Sequence, residues 1–77
     1  MVVIDAHNHL DNDRKRETFQ TADILLKRLD MFGIDMSVIM PNPLDTITRI
    51  EEPNNLILEA IRKYPDGFIG FCCVNPL

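Results

Sequence analysis

Apolar and polar positions alternate along this chain in two different periods, and the switch between them predicts its elements. Val2-Val3-Ile4 leads into Asp5-Ala6-His7-Asn8-His9. A β-branched opening of this kind predicts a strand. The stretch from Asp11 to Gln20 is polar and reads as a loop. From about Thr21 to Phe32 the period lengthens: Ala22, Leu25, Leu26, Leu29 and Phe32 form a stripe at helical spacing. Thr21 is placed to cap that helix, Asp23 lies in its positive first turn, and Gly33 stands where a left-handed residue would end it. Ile34 can then fold back on the last turn. Met36-Ser37-Val38-Ile39-Met40 is a nearly continuous apolar run stopped by Pro41 and Pro43, as expected of a strand covered on both faces. A second helix is predicted from about Pro53 or Asn54 to Tyr64, with Ile57, Ala60, Ile61 and Tyr64 on one face. Pro65-Asp66-Gly67 ends it, and Phe68 to Val74 reads as a third strand.

The order β-α-β-α-β calls for parallel strands joined by right-handed crossovers, an α/β architecture. Ile4 to Val38 and Val38 to Phe71 are 34 and 33 positions apart. Eight such units would give about 260 residues, close to the ~250 typical of a (β/α)8 barrel. Ankyrin and tetratricopeptide arrays share this period but are mostly helical, and the β-branched and aromatic runs oppose them. The expectation is a single partial domain over residues 1–77, equivalent to the first third of such a barrel.

Length and charge narrow the function. A chain of 77 residues supports at most one small domain, and one this size buries only ~60% of its unfolded surface. Its net charge is −4, and the one basic cluster, Arg14-Lys15-Arg16, is bracketed by Asp11, Asp13 and Glu17. Nucleic acid is not an expected partner. No apolar run reaches the ~20 residues that cross a bilayer, and Met1 to Ile4 lacks a basic flank, so neither membrane nor secretion signal is expected. Adjacent Cys72 and Cys73 cannot easily bridge and read as buried thiols of a cytoplasmic protein.

The chemistry concentrates in His7-Asn8-His9, which holds both histidines of the chain. Strand alternation puts the two on one face with Cα atoms ~6.6 Å apart, close enough for both rings to meet one ion. They sit at the C-terminal end of the strand, where barrel active sites are built. Alternation places Asp5 on the same face, one step deeper, as a carboxylate that could orient a histidine. A His-x-His pair is also what two polar residues leaving a strand look like. The apolar strand behind it, the βαβ unit it opens and the nearby carboxylate favour ligation. Asp11 and Asp13 read as solvated loop carboxylates, Arg49 as a minor candidate for an anionic substrate, and Met31, Met36 and Met40 as core filler. A nucleotide-binding reading fails because the first strand lacks a glycine-rich turn.

Ile4-Asp5-Ala6-His7-Asn8-His9-Leu10 resembles the first barrel strand of the amidohydrolase superfamily, with its His-x-His signature. More narrowly, it is similar to the amidohydrolase-related branch that includes metal-dependent hydrolases and aromatic-acid decarboxylases. Gly33-Ile34-Asp35 before the strand ending at Pro41 resembles its second unit. Glu59-Ala60, Tyr64-Pro65-Asp66-Gly67-Phe68-Ile69-Gly70-Phe71 and Val74-Asn75-Pro76 resemble its second helix and third strand. The resemblance implies the N-terminal part of a metal-dependent hydrolase. His7 and His9 would be ligands to a divalent metal, zinc or manganese, which activates water, and Asp5 would lie behind them. It implies a small-molecule substrate for the complete enzyme. The family's remaining ligands and its proton-handling aspartate have no counterpart here, so no catalytic residue is assigned within the chain, and the chain alone is expected to be inactive. A metal-dependent carboxy-lyase of the same family is the alternative. A non-catalytic chain acting through self-association or a complementary chain is another.

Overall fold

The computed structural model describes residues 2–42 and 51–72. Its elements are β1 (Ile4–Leu10), α1 (Ala22–Met31), β2 (Met36–Pro41), α2 (Glu51–Lys63) and β3 (Phe68–Gly70). The strands form one parallel sheet in the order β1-β2-β3. The expected β-α-β-α-β architecture is what the chain adopts.

The ends of α1 follow from local chemistry. Thr21 Oγ1 accepts the Ile24 N–H at 3.3 Å, and such a cap contributes about 1 kcal/mol. At the other end Gly33 takes a positive φ of 68°. Its N–H donates to the Asp30 carbonyl, and the Ile34 N–H donates to that of Leu29, closing the helix with its last carbonyls satisfied. Ile34 thereby packs against the core. Phe32 does not: it caps the helix and is 75% exposed, and Met31 is 79% exposed. The expectation that both pack in the core is corrected, because the turn at Gly33 returns Ile34 to that end of the core instead.

Helix α2 begins at Glu51, two residues before the expected start, which puts Pro53 in the first turn, where its missing N–H breaks no helical bond. Its apolar face meets that of α1 over a single core of Leu10, Leu25, Leu29, Ile39, Ile57, Ala60 and Phe68. A side chain at Gly70 would be driven into Ile57 and Ile61, so α2 lies directly on β3 at that point. An exposed clamp joins the helices, with Asp23 accepting from Lys63 Nζ at 3.1 Å and from the Tyr64 hydroxyl.

Both helices cover one face of the sheet. In β2, Ser37, Ile39 and Pro41 are buried, whereas Met36, Val38 and Met40 are only half-buried. The expectation of a strand covered on both faces therefore holds for one face. Ile69 and Phe71 are exposed, as they would be on the uncovered side. β3 is shorter than the predicted span, although the Phe71 N–H still reaches the Ile39 carbonyl at 2.9 Å. Cys72, just past its end, is exposed rather than buried. The readings of Arg49, Cys73 and Val74 lie outside the described residues. Among the described residues no helix is long and apolar enough to cross a membrane.

Candidate metal centre

The two histidines converge. His7 Nε2 and His9 Nε2 are 2.9 Å apart, with ring centroids 4.7 Å apart and planes at 78°. On β1 they alternate with Asn8 and Leu10, and Leu10 is in the core, so the rings stand on the uncovered face. They lie toward the C-terminal end of the strand, as expected.

A bulge brings them there. Asp5 pairs with Ser37 and Asn8 with Ile39, so three steps on β1 oppose two on β2. Asp5 holds this irregularity: its carboxylate accepts the His7 backbone N–H at 3.3 Å and the Asn8 side-chain amide at 2.8 Å. Asn8 also donates to the buried Ser37 hydroxyl at 2.8 Å. Simple alternation placed Asp5 beneath the rings. The bulge shifts the phase, and these bonds direct the carboxylate to Asn8 and to the backbone of His7 rather than to either imidazole. Asp5 thus supports His7 through its main chain.

The imidazole of His9 is oriented from outside the pair. Its Nδ1 lies 3.0 Å from the Pro41 carbonyl oxygen. A carbonyl only accepts, so Nδ1 is the donor of this contact, and the tautomer that makes it leaves a lone pair on Nε2. With that tautomer of His9, the 2.9 Å contact has His7 Nε2–H as donor and His9 Nε2 as acceptor. Two ring nitrogens each ~2.0–2.1 Å from one ion lie ~2.9–3.4 Å apart at angles of about 90 to 110°. The observed spacing falls at the short end of that range, so the pair fits as two ligands of a divalent ion. No third ligand joins them: among the described residues no group of three or more His, Cys, Asp or Glu side chains is placed to hold a metal.

Sequence reasoning missed the loop that fastens this end of β1. Asp11 is 1% exposed, not a solvated loop carboxylate. It accepts from Thr18 Oγ1 at 2.7 Å, Asn42 Nδ2 at 2.8 Å, the Asp13 N–H at 2.9 Å and Arg16 Nη1 at 3.4 Å. Burial alone would raise its pKa, but the bonds from Thr18, the Asp13 N–H, Asn42 and Arg16 together outweigh it and hold the carboxyl below its ordinary value. Asp13 does stay at the surface, paired with Arg16 at 3.5 Å. Asp11 and Gln20 exchange backbone hydrogen bonds, and the Gln20 side chain donates to the His9 carbonyl at 3.0 Å. The available signal was an Asp directly after an apolar strand and an Asn between two prolines, both residue types that bond backbone and side chains at strand ends. Cavities of about 380 and 290 Å³ lie elsewhere, beside the α2–β3 turn and along α2, and neither is lined by a histidine.

Among solved structures, the chain is similar to a probable 2-pyrone-4,6-dicarboxylic acid hydrolase from Acinetobacter baumannii, crystallised with citric acid bound. The TM-score is 0.72 at 23% identity, and the match covers 97% of this chain and 30% of that one. The likeness establishes the fold: this chain has the architecture of part of a TIM-barrel-like α/β protein and spans about 30% of the length of the structure it matches. No protein-family model matches the chain. No curated protein matches it either.

Proposed function

We propose that the chain is the N-terminal part of a metal-dependent hydrolase of amidohydrolase type, in which His7 and His9 supply two ligands to a divalent cation, zinc or manganese. The observation that carries this reading is the convergence of two imidazole nitrogens to 2.9 Å on the uncovered face at the C-terminal end of β1. The His-x-His resemblance supports it. The description of the structural neighbour as a hydrolase favours hydrolysis over removal of a carboxyl group. When bound, the ion would lower the pKa of a coordinated water and polarise the group under attack. The chain's own part is to hold two neutral nitrogens in place, His9 through the Pro41 carbonyl and His7 through the bulge that Asp5 fastens. Substrate in the complete enzyme would be a small molecule meeting the strand ends.

Calorimetric titration of the chain with Zn²⁺ at pH 7.5 tests the reading. Weak binding is expected, with the heat lost in both His7→Ala and His9→Ala. Equal affinity in both variants and the parent would overturn it.

A further inference from the structure

His9 is held by more contacts than a chance surface histidine requires, and they converge on one buried group. The parallel ladder stops at Leu10 opposite Pro41, because the next N–H on β1, that of Asp11, turns away to the Gln20 carbonyl. The Pro41 carbonyl accepts from the His9 ring. The residue after that carbonyl is anchored: Asn42 is buried, and its amide donates to the Asp11 carboxylate at 2.8 Å. Thr18, Arg16 and the Asp13 N–H hold the same carboxylate in place. Gln20, bridged to Asp11 through the backbone, fixes the His9 carbonyl and is itself gripped by Arg28 Nη1 at 2.7 Å.

We propose that Asp11 is a positioning residue for His9. Through the Asn42 amide it fixes the end of β2 so that the Pro41 carbonyl takes the Nδ1 proton and the Nε2 lone pair is turned toward His7. The inference deepens the metal reading of the histidine pair and rests on it for its purpose, but its geometry is a property of the metal-free chain. A histidine in water prefers the opposite tautomer, with the proton on Nε2, and that form would close the nitrogen that faces His7. The Asp11–Asn42–Pro41 path selects the form that leaves it open.

The experiment is long-range ¹H–¹⁵N correlation NMR of histidine-labelled, metal-free chain at pH 8. In the parent, His9 should carry its proton on Nδ1 and His7 on Nε2. In Asn42→Ala and in the isosteric Asp11→Asn, the Nδ1–H to Nε2–H ratio of His9 should fall roughly two- to tenfold, the range that loss of one neutral hydrogen bond supplies. Lys63→Ala, which loosens the clamp between the helices away from this path, should leave the ratio unchanged. A parent His9 protonated on Nε2 overturns the proposal, whatever the variants do. So does an unchanged ratio in folded Asn42→Ala and Asp11→Asn, or an equal fall in Lys63→Ala. Should Asn42→Ala not fold by circular dichroism, Asp11→Asn decides; should neither fold, the parent tautomer decides. A chain with the expected tautomers that takes no zinc would overturn the metal reading and leave this one standing.

Discussion

Deleting the Asp11 carboxylate would remove the acceptor of several donors at once. The Asn42 amide is buried and the Thr18 hydroxyl points at the same oxygen, so Asp11→Ala removes the acceptor these two donors share. The expected loss is about 2–3 kcal/mol, and in a domain this small that is a large part of the stability available. Urea unfolding followed by circular dichroism should show a markedly lower midpoint, and an unchanged one would mean that the network does not hold the loop. Gly70 makes the opposite case, since a methyl there has nowhere to go. Its Cβ would come within 2.8 Å of Ile57 Cγ2 and closer still to Ile61. Gly70→Ala should therefore destabilise by about 1–3 kcal/mol through overpacking. Leu or Val replaced by Ala in a core ordinarily leaves a hole; here added volume is the damage.

At the scale of elements, the two helices are joined by charge as well as by their apolar faces. The bond from Tyr64, followed by that from Lys63, holds Asp23 below its ordinary pKa. The same bonds hold Lys63 and Tyr64 above theirs. The signs set two limbs. Asp23 contributes stability that is present above the unfolded value of about 4 and is lost as pH falls through the lower folded one. Tyr64 and Lys63 contribute stability that is present below about 10 and is lost as pH rises through their higher folded values. The unfolding midpoint should thus decline at both ends of the pH scale, and Asp23→Asn should flatten the alkaline decline and part of the acid one. A parallel pair of profiles for parent and variant would show that the clamp contributes nothing. Much of this element scale was legible in the sequence. Thr21, Gly33 and the Leu25–Leu29 stripe announced α1 because caps and periodicity are local properties. The bulge in β1 was not legible. It depends on which residues of β2 lie opposite, and strict alternation then misplaced Asp5. Asp11 was misread for a related reason: its partners Thr18 and Asn42 are 7 and 31 positions away, and only folding shows that a polar loop encloses a carboxylate.

On the scale of the whole molecule, what matters is that one face of the sheet is covered and the other is not. Val38, Met40, Ile69 and Phe71 are at least partly open to solvent, and the outer edges of β1 and β3 have no neighbouring strand among the described residues. Exposed apolar surface beside unpaired strand edges favours pairing between copies, so sedimentation of the isolated chain should give a mass above the monomer. A sharp monomer with cooperative unfolding would contradict this. The same openness bears on catalysis. A catalytic zinc site generally has three protein ligands and an open position for water, whereas the described residues bring together two imidazoles, and the Asp5 carboxylate is directed to Asn8. Water reaches the pair freely, which weakens each electrostatic contact that would stabilise a transition state. Self-association could bring four histidines near one another, but the two rings of one chain already converge on each other, His9 being oriented by the Pro41 carbonyl of β2. The purified chain with Zn²⁺ or Mn²⁺ should therefore hydrolyse activated esters and lactones no faster than the free ion. Adding the later strands of a barrel, in the same polypeptide or in trans, should be what brings activity. Saturable hydrolysis by the chain itself, abolished in His7→Ala, would show that two histidines on an open sheet suffice and that the missing ligands have been wrongly assigned to other strands.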